Sequence, residues 1–322
     1  QSAKLAFIAT DDSLKAKKPT HTLYIYDVKK GDLTTQVEKS ALKLESSRIS
    51  PDGSLRFSED ESRLFFGVAN DYVDYAYESD TTILDEERVS LDIWGWQEAE
   101  IQPMQLKNKS QEERKTYLAT LNLIDFSITQ LGTPEIENVM MENKITKDYA
   151  LAWTDAPYRR SYSWDIQIGS DLYVVDFKTG TRTLIEKNVS GSPRLSPEGK
   201  YAYWYDNRDS SWVAYDIAAK TFKNLSENLD INVYNEQHDS PSLPGSYGAA
   251  GWLKDDKGFL IYDKYDIWKI DPTGKVAPHN ITLGAGRAQN IEFRRQKIEI
   301  EEREGIDPAL PFILTAFHEF NK

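Results

Sequence analysis

The chain has 322 residues, no cysteine and a formal net charge of −13. That acidity speaks against nucleic acid or an anionic membrane surface as a partner, and the absence of cysteine excludes disulfides and thiol chemistry. No apolar run approaches the roughly 18 residues that cross a bilayer, whereas 18 Tyr, 12 Phe and 8 Trp suit sheets packed on sheets.

In chain order, Lys4-Leu5-Ala6-Phe7-Ile8-Ala9-Thr10 already reads as a strand, with no signal-peptide pattern before it. Leu23-Tyr24-Ile25-Tyr26-Asp27-Val28-Lys29-Lys30-Gly31 introduces a phrase that returns: alternating apolar residues, an Asp, a turn, then a second strand. Asp bonds its own backbone and Gly supplies a positive φ, so each copy predicts a β-hairpin. Ile49-Ser50-Pro51-Asp52-Gly53 begins a second phrase, a strand end followed by a turn, read as the hairpin between the inner two strands of a sheet. Ser58-Glu59-Asp60-Glu61-Ser62-Arg63-Leu64-Phe65-Phe66 occupies the same place without the Pro.

Residues 71–87 then break the pattern. Asp71, Asp74, Glu78, Asp80, Asp85, Glu86 and Glu87 read as a solvated insertion, without the alternate spacing and Gly of a calcium loop. Residues 89–120 read as a hairpin arm projecting from the body. Val89-Ser90-Leu91-Asp92-Ile93-Trp94-Gly95-Trp96-Gln97-Glu98 is one strand, 107–115 a polar link and 116–123 the other strand. Ser110 and Glu113 match a capping box, which predicts at most one helical turn there. On such a strand Glu98 and Glu100 share a face and could receive one cation, such as a peptide amino terminus. A merely solvated arm is the alternative, and Trp94 and Trp96, also on one face, read as packing against the body.

From residue 149 the pattern is regular. Ala150-Leu151-Ala152-Trp153 is a strand, residues 155–160 a loop, and Asp171-Leu172-Tyr173-Val174-Val175-Asp176-Phe177-Lys178-Thr179-Gly180 the clearest copy of the first phrase. Leu195-Ser196-Pro197-Glu198-Gly199-Lys200 repeats the second phrase, and Trp212-Val213-Ala214-Tyr215-Asp216-Ile217-Ala218-Ala219-Lys220 the first. Residues 235–248 form a Pro/Gly-rich loop. Trp252-Leu253-Lys254-Asp255-Asp256-Lys257-Gly258-Phe259-Leu260 and Asp266-Ile267-Trp268-Lys269-Ile270-Asp271-Pro272-Thr273-Gly274 follow, and residues 291–294 and 298–302 open a last, unfinished sheet.

With Asn122 in Tyr117-Leu118-Ala119-Thr120-Leu121-Asn122-Leu123 as a weak copy, the marker residues 27, 122, 176, 216 and 271 lie 95, 54, 40 and 55 apart. A four-stranded propeller blade takes roughly 40–50 residues, and the doubled first gap holds the arm. The fold class expected is therefore all-β: one β-propeller region over residues 1–322, about six blades' worth, with a packed sandwich of hairpins as the alternative. Both ends fall inside repeats, so the chain reads as a piece of a longer protein. Leu5 and Phe7 at one end, and Phe312, Leu314 and Phe317 at the other, would then be unpaired apolar faces that promote association or lower stability.

Catalytic patterns are missing. His21, His238, His279 and His318 form no metal spacing, no two glycines stand as a Gly-x-Ser-x-Gly elbow requires, and no phosphate loop or dinucleotide fingerprint occurs. No metal, cofactor or catalytic residue is expected in this chain. His238-Asp239 reads as a loop-stabilising pair, because neighbours on an extended chain point apart.

Several strings nevertheless resemble one family. Leu91-Asp92-Ile93-Trp94-Gly95-Trp96-Gln97-Glu98 with Gln102-Pro103-Met104-Gln105 is similar to the arm of bacterial prolyl oligopeptidase-family (S9) serine peptidases. So are Asp155-Ala156-Pro157-Tyr158-Arg159 with Ser163-Trp164-Asp165, and Asn235-Glu236-Gln237-His238-Asp239-Ser240-Pro241 with Tyr247-Gly248-Ala249-Ala250-Gly251-Trp252. Tyr262-Asp263-Lys264-Tyr265-Asp266-Ile267-Trp268 and Thr282-Leu283-Gly284-Ala285-Gly286-Arg287 complete an ordered set across residues 50–322. The resemblance implies a seven- or eight-bladed propeller that caps a C-terminal α/β-hydrolase domain and filters or docks short peptides, in a periplasmic or secreted protein. The triad of that family lies in the hydrolase domain, so none of its residues is carried over here. A Glu pair on the propeller of dipeptidyl peptidase relatives grips the substrate amino terminus. Glu98 and Glu100, split by Ala99, are the counterparts offered here, with Trp94, Trp96 and Arg159 as further candidate substrate contacts. The other reading is a stand-alone TolB-like propeller that binds proteins.

Overall fold

The structure, a computed structural model, describes residues 4–42, 47–72, 82–87, 91, 93–140, 148–165, 167–297 and 305–320. The chain divides into two compact units, one of residues 1–139 with 177–181, the other of residues 140–176 with 182–322.

In the first unit, β1 (Lys4–Ala9), β2 (Thr22–Asp27) and β3 (Asp32–Val37) form one antiparallel sheet. A second sheet holds β4 (Ser47–Ile49), β5 (Arg56–Phe57), β6 (Arg63–Asn70), β7 (Tyr117–Asn122) and β8 (Ile128–Gln130), with β4 and β5 both pairing with β6. Between β6 and β7 stands the helix α1 (Gln102–Glu113). The two sheets pack face to face through Leu23, Ile25, Ile49, Leu64, Phe66, Ala119 and Leu121, all buried. These are the alternate residues of their strands, as a period of two requires.

Three four-stranded sheets and a two-stranded one follow among the described residues. β9 (Asn138–Met140), β10 (Tyr149–Thr154), β11 (Ser170–Asp176) and β12 (Arg182–Val189) form the third. β13 (Arg194–Leu195), β14 (Tyr201–Asp206), β15 (Ser211–Asp216) and β16 (Thr221–Asn224) form the fourth, and β17 (Ala249–Trp252), β18 (Phe259–Tyr262), β19 (Ile267–Ile270) and β20 (His279–Asn280) the fifth. After the helix α2 (Ala285–Gln289), β21 (Ile291–Arg295) and β22 (Leu314–His318) pair as a sixth. Within the second unit, adjacent sheets again bury their faces against one another. Leu172, Val174 and Trp204 join the third and fourth, Trp212, Trp252 and Phe259 the fourth and fifth, and Leu260 and Tyr262, with the partly buried Phe293 and Leu314, the fifth and sixth. Within each unit, small antiparallel sheets that follow one another in the chain and pack face to face are the blades of a β-propeller.

The repeated Asp residues occupy equivalent positions. Asp27, Asn122, Asp176 and Asp216 each end a strand, and Asp271 directly follows one; each leads by a tight turn into the last strand of its sheet. Asp27 accepts from the backbone N–H groups of Lys29 and Lys30 at 3.0 Å, Asp216 from Ala219 at 2.8 Å and Asp271 from Thr273 at 2.9 Å. Matched on this turn, β1, β2 and β3 correspond to the second, third and fourth strands of the other sheets. Each turn then needs a left-handed residue: Gly31, Phe126, Gly180, Lys220 and Gly274 have φ of 70°, 57°, 69°, 56° and 69°. Lys220 adopts a backbone conformation that costs an L-residue about 1–2 kcal/mol and glycine nearly nothing. Lys220→Gly should therefore stabilise the protein by about 0.5–1 kcal/mol, after the extra entropy that glycine loses on folding. Urea denaturation checks this, and a destabilised variant would contradict the turn assignment.

The second phrase divides. Ser58 and Ser196 each begin a hairpin between first and second strands, with Ser58 Oγ accepting from Arg63 N at 2.9 Å and Ser196 Oγ from Tyr201 N at 3.0 Å. Ser50-Pro51-Asp52-Gly53 does not make such a hairpin. It interrupts the first strand instead: Ser50 N donates to Gly67 O at 3.1 Å, and the chain rejoins the same neighbour as β5. A third phrase escaped the sequence reading. Asn224-Leu225-Ser226 and Asn280-Ile281-Thr282 both close the fourth strand. The Asn Oδ1 accepts from the Ser or Thr N–H, and the hydroxyl oxygen accepts from Trp212 N at 3.0 Å or Ile267 N at 3.1 Å.

The arm departs most from expectation. Residues 102–113 are α-helix, not a polar link between strands, and Ser110 lies in its last turn instead of capping a start. Pro103 near the N-terminus and a run of Gln, Met, Leu and Lys favour the helix where side-chain alternation had suggested strand. Residues 93–98 are not strand, 155–160 lie largely in the 3-10 helix Ala156–Ser163, and 73–81, 88–90, 92 and 298–304 fall outside the described residues. Leu5, Phe7 and Phe317 are 53%, 40% and 53% exposed.

Candidate functional site

In an antiparallel four-stranded sheet, the turns after the first and third strands share one end, and the connections after the second and fourth share the other. Here the first end carries tight turns. Most of the length lies at the second: 71–116 after β6, 155–169 after β10, 225–248 after β16 and 281–290 after β20. Long loops held by a rigid sheet are where binding residues concentrate.

Among the described residues of these connections, those of the arm are the most exposed. Gly95 accepts a backbone bond from Glu98 N at 3.2 Å, turning the chain back along α1. Gln105 Nε2 then donates to Glu98 Oε2 at 2.6 Å and to the carbonyl of Glu100 at 2.8 Å, and Asn108 Nδ2 donates to Glu100 Oε2 at 3.3 Å. The two acids thus meet on one helix, although the strand that was to align them does not exist. Neither has a lysine or arginine partner among the described residues. Lys109 pairs with Glu113, and Lys115 with Glu112 and Glu137. Trp94 and Trp96, expected to pack against the body, are 65% and 80% exposed.

Arg159 lies in the other unit. Its guanidinium pairs with Asp155 Oδ1 at 2.8 Å, and the Tyr162 hydroxyl donates to Asp155 Oδ2 at 2.6 Å. Burial opposes ionisation of Asp155, but these bonds and the guanidinium charge outweigh it and hold the carboxyl below its usual range. A carboxyl with a depressed pKa adds stability above its ordinary pKa near 3.8 and loses it as pH falls through the lowered value. The 155–162 segment should therefore loosen only in strong acid, and Asp155→Asn should remove that part of the acid dependence, as amide exchange across pH would register. Tyr158 next to it donates to Asp171 Oδ1 at 2.5 Å. Burial and that carboxylate push its hydroxyl up to about 12, so it remains a donor at neutral pH.

Two distant strings meet at the fifth sheet. Asp263, 1% exposed, accepts from Tyr265 N, Asp266 N and Trp268 Nε1 at 2.6, 2.7 and 3.0 Å. Asp266, also 1% exposed, accepts from Thr282 Oγ1 at 2.7 Å and from Gly286 N and Arg287 N at 2.9 and 3.1 Å, holding the start of α2. These acids are saturated by donors and serve the fold. His238 Nε2 lies 3.0 Å from Ser242 Oγ, which resembles a nucleophile and its base. The same nitrogen is 2.9 Å from the Ser242 carbonyl, an acceptor only, so it carries the proton and cannot take one from the hydroxyl. His238 closes its own loop, with Ser242 as partner where Asp239 was expected. Among the described residues no group of His, Asp or Glu could hold a metal, and no helix is long and apolar enough to cross a membrane.

No family model and no curated protein matches the sequence. Solved structures do. TolB from Acinetobacter baumannii is 13% identical, over 87% of this chain and 52% of that one, with a TM-score of 0.31. The β-propeller domain of the Trilobed protease from Pyrococcus furiosus is 14% identical, over 84% and 80%, with a TM-score of 0.30. Porphyromonas gingivalis dipeptidyl peptidase 4 is 11% identical, over 91% and 46%, with a TM-score of 0.39. Peptidases recur among its structural neighbours. The chain spans about half the length of the TolB and dipeptidyl peptidase chains.

Proposed function

We propose that the chain is the non-catalytic β-propeller of an S9-type serine peptidase, capping an α/β-hydrolase domain of the same protein and filtering or docking short peptides. One observation carries the reading. The strings resembling that family are centred on the long-connection ends of their sheets: 91–105 after β6, 155–165 after β10, 235–252 after β16, 262–268 after β18 and 282–287 after β20. A likeness of blades alone would scatter such strings over the strands and the tight turns as well. On this reading Glu98 and Glu100 receive the amino terminus of a peptide, with Trp94 and Trp96 beside it. Arg159, tied to Asp155, holds its own helix and is not assigned to substrate. A periplasmic or secreted setting goes with this assignment.

The test uses the natural full-length protein. A serine-directed fluorophosphonate should label it and abolish hydrolysis of short peptides, with the labelled serine outside residues 1–322, and the 322-residue chain alone should take no label. A full-length protein without label or peptidase activity would overturn the proposal and favour a stand-alone binding propeller.

A further inference from the structure

α1 poses a question that its packing does not answer. Twelve residues long, it buries none of its side chains, although most helices in proteins are held by an apolar face. Two of its side chains tie it to the preceding segment, the amides of Gln105 and Asn108. Gln105 reaches the Glu98 carboxylate and the Glu100 backbone with one nitrogen, and Asn108 reaches the Glu100 carboxylate. Each amide takes the Oε2 atom of its acid, leaving Oε1 of both without a described partner. An amide brings no charge to offset that of a carboxylate, yet it restricts the rotamers of the acid it holds, whereas a lysine in either place would bring an opposite charge.

We infer that Gln105 and Asn108 are positioning residues: they fix Glu98 and Glu100 so that their remaining oxygens converge on one ammonium group. This rests on the assignment of those acids to a peptide amino terminus. It also accounts for the Ala99 spacer, since on a turn folded back along a helix the acids need not be adjacent to face one ligand. Fixing a charged side chain beforehand removes its ordering cost from binding, so the amides should be felt only by ligands that carry the charge.

Calorimetry on the 322-residue chain, with the peptide Ala-Ala-Phe-amide and its N-acetylated form as probes, separates the possibilities. The free amine should bind at least about tenfold more tightly, and Glu98→Gln with Glu100→Gln should abolish that preference. Gln105→Leu and Asn108→Leu, which leave α1 helical by circular dichroism, should cut the preference about fivefold and leave binding of the acetylated peptide unchanged. Equal preference in the leucine variants and the parent would overturn the positioning role while sparing the amino-terminus site. No preference in the parent would overturn both.

Discussion

Gly67→Ala should destabilise the protein by about 3 kcal/mol, at the upper end of what overpacking costs. Gly67 sits in the middle of β6, opposite Leu118 of β7, and its backbone carbonyl accepts from Ser50. A Cβ built there would lie 2.7 Å from the Cα of Gly53 and 3.1 Å from the Cβ of Thr116. Seen from the other side, a Cβ on Gly53 would lie 2.5 Å from the Cα of Gly67. The nearest obstacle in each case is a backbone Cα, which cannot rotate out of the way as a side-chain tip can. The interrupted first strand is what brings the chains so close, because Ser50-Pro51-Asp52-Gly53 crosses β6 between β4 and β5. Gly53→Ala should cost a similar amount, and the double variant less than the sum, since one separation of the two backbones relieves both clashes. Urea midpoints at an unchanged m-value would measure this. A loss under about 1 kcal/mol in either single variant would mean that the crossing is looser than described.

Legibility followed how local each cause was. The Asp turns could be read because Asp and a left-handed residue, three or four positions apart, lie within one short segment, and even Phe126 and Lys220 keep the place where glycine is missing. The fourth-strand phrase was equally local, Asn224 with Ser226 and Asn280 with Thr282, but it was overlooked because Leu225 and Ile281 look like ordinary strand ends. Ser50-Pro51-Asp52-Gly53 misled because the same letters serve a hairpin at Ser196; what differs is the glycine at position 67 that lets the loop cross. In the arm, Trp94, Trp96, Glu98 and Glu100 alternate as strand residues do, and only the helix after them, through Gln105 and Asn108, shows why they need not be one. The meeting of Asp266 with Thr282 and Gly286 joins residues 16 and 20 apart, a pairing that no local pattern announces.

Asp256→Ala should cost about 3 kcal/mol, for a reason opposite to that of Gly67: bonds lost and not space exceeded. Asp256, 3% exposed, leaves the first hairpin of the fifth sheet and reaches the first hairpin of the fourth. Its Oδ2 accepts from the Ser196 hydroxyl at 2.6 Å and from Lys200 N at 3.3 Å, and its Oδ1 from Glu198 N at 3.0 Å. Removing the carboxylate strands those donors, and the Ser196 hydroxyl, on a residue 2% exposed, is poorly placed to find water. The hairpin also holds Asp255 and Asp256 at φ of 62° and 56°, two successive left-handed residues whose cost these bonds offset. The conformation predicts an order that bond loss alone would not. Asp256→Gly forfeits the same bonds as alanine but relieves one left-handed residue, so it should be less damaging than Asp256→Ala by about 1 kcal/mol. Asp256→Asn, which keeps one acceptor oxygen, should be the mildest. A cycle with Ser196→Ala should give a coupling of about 1–2 kcal/mol between the two hairpins. Alanine and glycine of equal stability would remove the argument from strain, and a coupling near zero would show that the bond between Ser196 and Asp256 does not help to join the fourth and fifth sheets.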